Sequence, residues 1–268
     1  MSAITDLSDP RVAPFADVTR NRGDQSSAHF IAEGENVVYR LLASDYHCQS
    51  VLCVDRKADR LRPRLQPGTE LLVATESLMQ QILGFKFHSG VMGLGVRKPV
   101  TGIEDAITTI GDKPATVLAL PEITDSANLG AILRIAAAFG VHTVLLGQQC
   151  RDPFVRQTIR VSMGTIFSLR IAHAANIAED LKKLRSEHGF ELIATVLDAD
   201  AEPLRQVVPA RRRALLLGNE GPGLVREIVE ICDRRVTIPM RLGTDSLNVA
   251  AACGVFLFHI CGDAAAGQ

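Results

Sequence analysis

The sequence predicts an α/β protein in which a small N-terminal α/β module precedes a larger domain built on a mostly parallel sheet. Three observations carry that expectation. Strand-like segments alternate with helix-like ones along most of the chain. Many of the strand-like segments are unbroken apolar runs, as strands covered on both faces are. The ends of several of them hold glycines and polar residues, at the sheet edge where such folds place ligands.

A chain of 268 residues exceeds the usual size of one domain, so one large or two smaller domains are expected. Hydrophobic residues at 47% and charged ones at 22% exclude collagen-like, low-complexity and wholly disordered chains. An apolar helical pattern over His29–Ala43 opens the module, followed by a strand-like QSVLCV, a short polar helix, a strand TELLVA, a helix ESLMQQIL and a strand VMGLGV. The module is assigned to 1–99. Residues 100–114, with Gly102, Gly111 and Pro114, read as a linker carrying at most a short helix.

From there the pattern restarts over 115–268. ATVLALP reads as a strand, Asn128–Phe139 as a helix, HTVLLG and TIFSLRI as strands, and Ala175–His188 as a helix. ELIATVL and RALLLG read as strands, Gly223–Cys232 as a helix, VTIPM as a strand, and a last helix starts at Ser246. Gly147, Gly218 and Pro239–Gly243 follow strand ends, so a site is expected there.

The net charge of −1 gives no global field to draw in a polyanion. The cations are biased in kind: six of the 29 are lysine and the other 23 arginine, whose planar forks suit bidentate phosphate contacts. They cluster at Arg20 with Arg22, Arg60 with Arg62 and Arg64, Arg97 with Lys98, and Arg211–Arg213. The six cysteines include no CxxC pair and read as free thiols, and the histidines show no metal-ligand spacing, so no metal is expected. The longest apolar run, near Leu247–Ile260, is shorter than the roughly 20 residues of a membrane span. The start MSAITDLSDPRV lacks the marks of a signal peptide, and a soluble cytoplasmic protein with no membrane partner is expected.

Three segments hold the candidate chemistry. In the first, Asn128 is a plausible helix cap, Gly130 permits close approach, and Arg134 is the one charge between Asn128 and Phe139. In the second, Gly218-Asn-Glu220-Gly-Pro-Gly223, glycines free backbone amides at a helix start, which attract anions or acceptors. A dinucleotide site matches poorly: the spacing is not GxGxxG and no strand-end acid lies about 20 residues on. Gly90, Gly93 and Gly95 read as a glycine-containing strand. In the third, Ile238 to Asn248, Ser246 reads as the N-cap and Asn248 as a first-turn residue. From Val249 to Ile260 every residue except Gly254 and His259 is apolar, so this helix needs cover on all sides, and a homodimer is expected.

In this order and at strand ends, LPEITDSANLGAILRIAAAFG, LLLGNEGPGL and IPMRLGTDSLNVAAA resemble the three motifs of the SpoU (TrmH) family of RNA ribose methyltransferases in the SPOUT superfamily, over about 117–260. Ser126 and Ala250 depart from the proline and serine that many members carry. The resemblance implies a C-terminal SPOUT domain with a deep trefoil knot, an exception to the rule that connections do not thread loops. The small N-terminal domain is similar to the ribosomal-protein-like RNA-binding module of many members.

The resemblance also implies S-adenosylmethionine as methyl donor, held by Gly218, Ile238 and Leu247, and functional roles for Asn128, Arg134, Glu220, Ser246 and Asn248. The acceptor implied is an RNA ribose 2′-hydroxyl, with large-subunit ribosomal RNA preferred over transfer RNA because members with the extra domain tend to act on ribosomal RNA. A non-catalytic RNA-binding or assembly protein on the same fold is the alternative of another class. Arg20, Arg22, Lys86, Arg97 and Lys98 are expected on RNA phosphates.

Overall fold

The computed structural model describes residues 2–16, 27–84 and 87–262. In chain order, the elements up to the middle of the protein are β1 (Ser2–Ala3), α1 (Ala13–Ala16), β2 (His29–Glu33), α2 (Glu35–Leu42), β3 (Cys48–Val54), α3 (Asp55–Leu61), β4 (Glu70–Ala74), α4 (Glu76–Leu83), β5 (Val91–Val96) and α5 (Ile103–Thr108). There follow β6 (Ala115–Leu120), α6 (Ser126–Ala138), β7 (Thr143–Leu146), α7 (Arg156–Val161), β8 (Arg170–His173), α8 (Ile177–Ser186) and β9 (Glu191–Thr195). The last are β10 (Glu202–Pro203), β11 (Arg212–Leu216), α9 (Arg226–Glu230), β12 (Arg234–Thr237) and α10 (Val249–Cys261).

The chain divides into two compact units, Met1–Pro99 with Asp152–Ser168, and Val100–Arg151 with Leu169–Gln268. The first holds a five-stranded mixed sheet in the order β1-β4-β3-β5-β2, with β2 and β3 antiparallel to β5 and the other pairs parallel. Here His29–Ala43 is not one helix. His29 to Glu33 pair with Val96 to Met92 of β5, Gly34 turns the chain at φ +101°, and α2 begins at Glu35. The helical periodicity loses to cross-strand pairing, because the same apolar residues bury better as a strand.

Residues 152–168, assigned by sequence to the C-terminal domain, belong to the first unit. They supply α7, which packs on β2, and a 3-10 turn over Thr165–Ser168 where TIFSLRI reads as strand; the strand itself starts at Arg170. Two features hold them. Phe154 and Phe167 pack on Phe30 with ring centroids 5.2 and 5.4 Å apart, beside Tyr46. Asp152, only 4% exposed, accepts two hydrogen bonds from Arg97, Nη1 to Oδ1 at 2.9 Å and Nη2 to Oδ2 at 2.6 Å, and a third from the Phe154 amide. Arg97, expected on phosphates, is therefore committed to a buried carboxylate.

The second unit carries a seven-stranded sheet in the order β10-β12-β9-β11-β6-β7-β8, parallel at every pairing. Val117, Ala119, Leu145, Leu192, Ala214 and Leu216 turn one face of it into a core with α5 and α8. On α5, Ile103, Ala106 and Ile107 are buried in that core, so the stretch 100–114 expected as a linker is a packed part of this unit. On the other side of β6 lie α6 and α10, packed on each other. Among the described residues no helix is long and apolar enough to cross a membrane.

Replacing Asp152 by Ala leaves the Arg97 guanidinium without its carboxylate in a mostly buried place. The expected loss is about 3 kcal/mol of unfolding free energy, measured by urea denaturation, and Asp152→Asn, which keeps an acceptor, should lose less.

Candidate active site

Three parallel strands, β9, β11 and β12, end side by side, and the chain leaves each of their carboxyl ends as a loop. Together these loops and the first turns of α6 and α10 wall a cavity of about 260 Å³, near the lower end of the roughly 300–1,000 Å³ of small-molecule sites. Thr195 ends β9 and Val196 and Leu197 follow it; Leu217 to Gly221 and Gly223 follow β11; Ile238, Met240 and Ser246 to Asn248 follow β12.

Local chemistry shapes each wall. After β11, Asn219 and Gly223 exchange two main-chain hydrogen bonds of 3.1 and 3.2 Å, which fold residues 219–223 into a tight turn. Gly223 sits at φ +75°, and the Asn219 side chain accepts from the Gly221 amide at 2.9 Å. The turn lies directly on Gly218, where a Cβ would come within 2.2 Å of the Gly223 carbonyl carbon and 2.3 Å of the Leu224 nitrogen. Only glycine fits Gly218. The β12 loop turns at Leu242 (φ +58°) and Gly243 (φ +69°), with the Leu242 side chain fully exposed.

The two helix starts differ from the sequence reading by a few residues. Asp125, not Asn128, caps α6, its carboxylate accepting from the Asn128 amide at 2.8 Å. Asn248, not Ser246, caps α10, accepting from the amides of Ala250 and Ala251 at 2.9 and 3.3 Å. Relieved of capping, both Asn128 and Ser246 line the cavity. Asn248 Nδ2 donates to Asn128 Oδ1 at 2.9 Å, and Asn128 Nδ2 donates to Glu220 Oε1 at 3.1 Å. One polar chain thus links α10, α6 and the β11 loop, and it fixes the amide orientation of Asn128 at both ends.

Of the residues singled out from sequence, Asn128, Gly218, Glu220, Ile238, Ser246, Leu247 and Asn248 all line the cavity. Arg134 does not. It lies six residues along α6 from Asn128, about 120° around the helix axis, exposed and without a hydrogen-bond or ion-pair partner among the described residues. Met240 lies in the stretch Pro239–Gly243 where a site was expected, whereas sequence reasoning missed Thr195 to Leu197 and Phe256. The end of ELIATVL carries no glycine or motif to mark it, and only the sheet order places β9 beside β11. Lys98 pairs with Asp45 at 2.6 Å and covers the Tyr46 ring at 4.3 Å, and Arg20, Arg22 and Lys86 lie outside the described residues.

Apolar residues, among them Leu197, Ile238, Leu247 and Phe256, line the wall together with glycines and the polar Asn128, Asn219, Ser246 and Asn248, and Glu220 is its ionisable residue. A wall of apolar residues with a few polar ones suits a small organic ligand that is partly apolar. Beside this loop region, Cys150 donates to the Leu120 carbonyl at 3.0 Å, and burial pushes its thiol up to about 11, so it is a structural thiol and not a nucleophile. Glu104, Glu187 and His188 form a surface cluster that contributes nothing to the cavity.

The sequence profile of the SpoU rRNA Methylase family matches residues 115–258, more than half of the chain and the whole of the cavity wall. The chain belongs to that family. Membership makes it a methyltransferase. A SpoU relative in Mycobacterium tuberculosis (strain ATCC 25618 / H37Rv), named as an uncharacterized tRNA/rRNA methyltransferase, is 36% identical over 96% of this chain and 90% of its own length. The 23S rRNA (guanosine-2'-O-)-methyltransferase RlmB of Nitrosomonas europaea is 32% identical over 72% of this chain and 73% of its own. Among solved structures, the AdoMet-bound rRNA methyltransferase from Sinorhizobium meliloti superposes with a TM-score of 0.82 at 26% identity, covering 97% of both chains.

Asn248 serves two structures at once, and substitutions separate them. Asn248→Ala should cost about 1 kcal/mol in thermal or urea unfolding through the lost cap, whereas Asn248→Asp, a good cap without a donor for Asn128, should recover most of that stability.

Proposed function

We propose that this SpoU enzyme transfers the methyl group of S-adenosylmethionine to a ribose 2′-hydroxyl of RNA, with large-subunit ribosomal RNA as the substrate. The observation that carries the reading is the cavity itself. All three family motifs converge on it, apolar residues and glycines make up much of its lining, and three of its polar side chains are tied into the Asn248–Asn128–Glu220 chain. The name of the Nitrosomonas europaea relative supports a ribosomal acceptor; the mycobacterial name leaves transfer RNA as the second.

Gly218, Ile238 and Leu247 would hold the donor, which when bound supplies an electrophilic methyl on a sulfonium. The acceptor hydroxyl must shed its proton as it attacks. A guanidinium is a donor without acceptor capacity, so Arg134 acts as a clamp on the adjacent phosphate and a stabiliser of the developing alkoxide, not as a free base. Asn128 and Asn248 hold the Glu220 turn and the start of α10 in register, and Ser246 orients the ribose side of the cavity. The passage of the chain from the β11 turn through the β12 loop into α10 is, on this reading, the trefoil knot of the superfamily.

Arg134 completes the site only with a second protomer. On α10, Ala251, Val255 and Phe258 lie at successive turns of one exposed stripe, with Val255 42% and Phe258 70% exposed. Beside it, α6 presents Arg134 and Ala138, and Phe139 meets Phe258 edge to face at 6.4 Å. An apolar stripe of this kind calls for a partner, so the protein is a homodimer in which Arg134 of one protomer serves the cavity of its partner.

Incubation with labelled S-adenosylmethionine and total RNA, followed by digestion, should yield 2′-O-methylnucleotides in the 23S fraction. Label in transfer RNA alone would move the substrate, and no label would refute the reading. Arg134→Ala should lower turnover about 100-fold or more, on the scale of a lost oxyanion donor. Mixed dimers of Arg134→Ala with Asn248→Ala should regain activity that neither variant shows alone, since one intact cavity then meets one intact arginine. Phe258→Glu should sediment as a monomer, and a stable wild-type monomer at micromolar concentration would remove the dimer.

A further inference from the structure

The first unit carries an arginine surface that neither its own core nor the cavity uses. Glu35 and Tyr39 stand one turn apart on α2, facing Lys57 and Arg60 of α3 and Arg64 of the 3-10 turn that follows α3. Glu35 is fully used: Lys57 Nζ donates to Oε2 at 2.6 Å and the Tyr39 hydroxyl to Oε1 at 2.7 Å. These bonds hold its carboxyl below the usual range, while burial and the neighbouring Glu35 raise the Tyr39 phenol, so the pair stays as carboxylate and neutral phenol at neutral pH.

The Arg64 guanidinium lies over the Tyr39 ring, its Cζ 4.4 Å from the ring centroid. A guanidinium stacked in this way keeps its edge donors pointing outward and one face open. Arg60 is exposed and has no carboxylate or hydrogen-bond partner among the described residues. It is close enough to Glu35 and Tyr39 to act on both through space. The contrast with other arginines is sharp: Arg11, Arg97, Arg156, Arg226 and Arg234 each hold a carboxylate within 2.9 Å.

We infer that Arg60 and Arg64, braced by Tyr39, form the contact through which the N-terminal unit grips the phosphate backbone of the RNA substrate. Two spare guanidinia on a near-neutral protein match a phosphodiester strand, whose anionic oxygens accept two parallel donors from each fork. An acidic protein surface would offer carboxylates, but the RNA acceptor of the proposed reaction already demands a second, positioning contact away from the cavity. The inference rests on that reading and names a surface for it, replacing Arg97 and Lys98, which the fold has engaged elsewhere.

The test measures binding of deproteinised 23S ribosomal RNA to the full-length protein by filter retention across a salt series, together with methyl-transfer kinetics. Arg60→Ala/Arg64→Ala should flatten the slope of log affinity against log salt by about 1 to 2, as expected for two lost phosphate contacts. It should raise KM for RNA about tenfold or more and leave kcat at saturating RNA unchanged. Arg60→Lys/Arg64→Lys should restore most of the salt slope. Lys182→Ala, which removes an equally exposed cation paired with Glu179, should change neither quantity. A double alanine variant with the wild-type slope and KM overturns the inference even if methylation proceeds normally. If wild type binds RNA with the expected salt dependence but methylates none, the proposed reaction fails while this surface is still judged by its slope.

Discussion

Three stretches of chain, two of them 92 and 120 residues beyond the first, meet through one side-chain amide. Asn128 receives a hydrogen bond from Asn248 and gives one to Glu220, and each of those residues is bound into its own backbone turn: Asn248 as the cap of α10, Glu220 within the turn that presses on Gly218. Shifting any member by one residue would remove a cap or a tight turn together with the side-chain contact. The polar links of the cavity are thus fastened to secondary structure at both ends, and among the described residues no salt bridge or disulfide joins its lining.

The parallel sheet explains why that meeting point lies where it does. β9, β11 and β12 are neighbours in the order β12-β9-β11, yet each is followed by a different excursion, and a strand end flanked by chains that leave in different directions opens a crevice. Within it, glycine at 218 is a packing requirement: the turn's own backbone occupies the space a Cβ would need. Apolar residues from the ends of the other strands, with Phe256 from inside α10, then close the floor.

Much of this was readable in the sequence because the signals are local. Apolar runs gave β3, β4, β6, β7, β9 and β11 within a residue or two, and seven residues chosen from motifs line one cavity. What was not readable depends on tertiary partners. His29–Glu33 has helical periodicity and becomes a strand because β5 is there to pair with it. Asp125 and Asn248 take the capping roles from Asn128 and Ser246 because several Asx or Ser residues stand at each helix start and local sequence does not rank them. Arg97 looked like a surface cation until Asp152, 55 residues away, supplied a buried carboxylate.

Those pairings bear on how a protein of net charge −1 can hold a polyanion at all. Arginine is abundant here, but most of the guanidinia with known partners are consumed by Asp or Glu, and a paired arginine contributes little to binding because its carboxylate competes at contact distance while phosphate must displace it. What matters is the arginine that the fold leaves unpaired. Arg60 and Arg64 in one unit and Arg134 in the other are among those that meet that condition, Arg64 stacked on Tyr39 and Arg134 exposed on α6. With no long-range field to gather any nucleic acid, association of a near-neutral protein with a polyanion rests on local contacts and not on net charge.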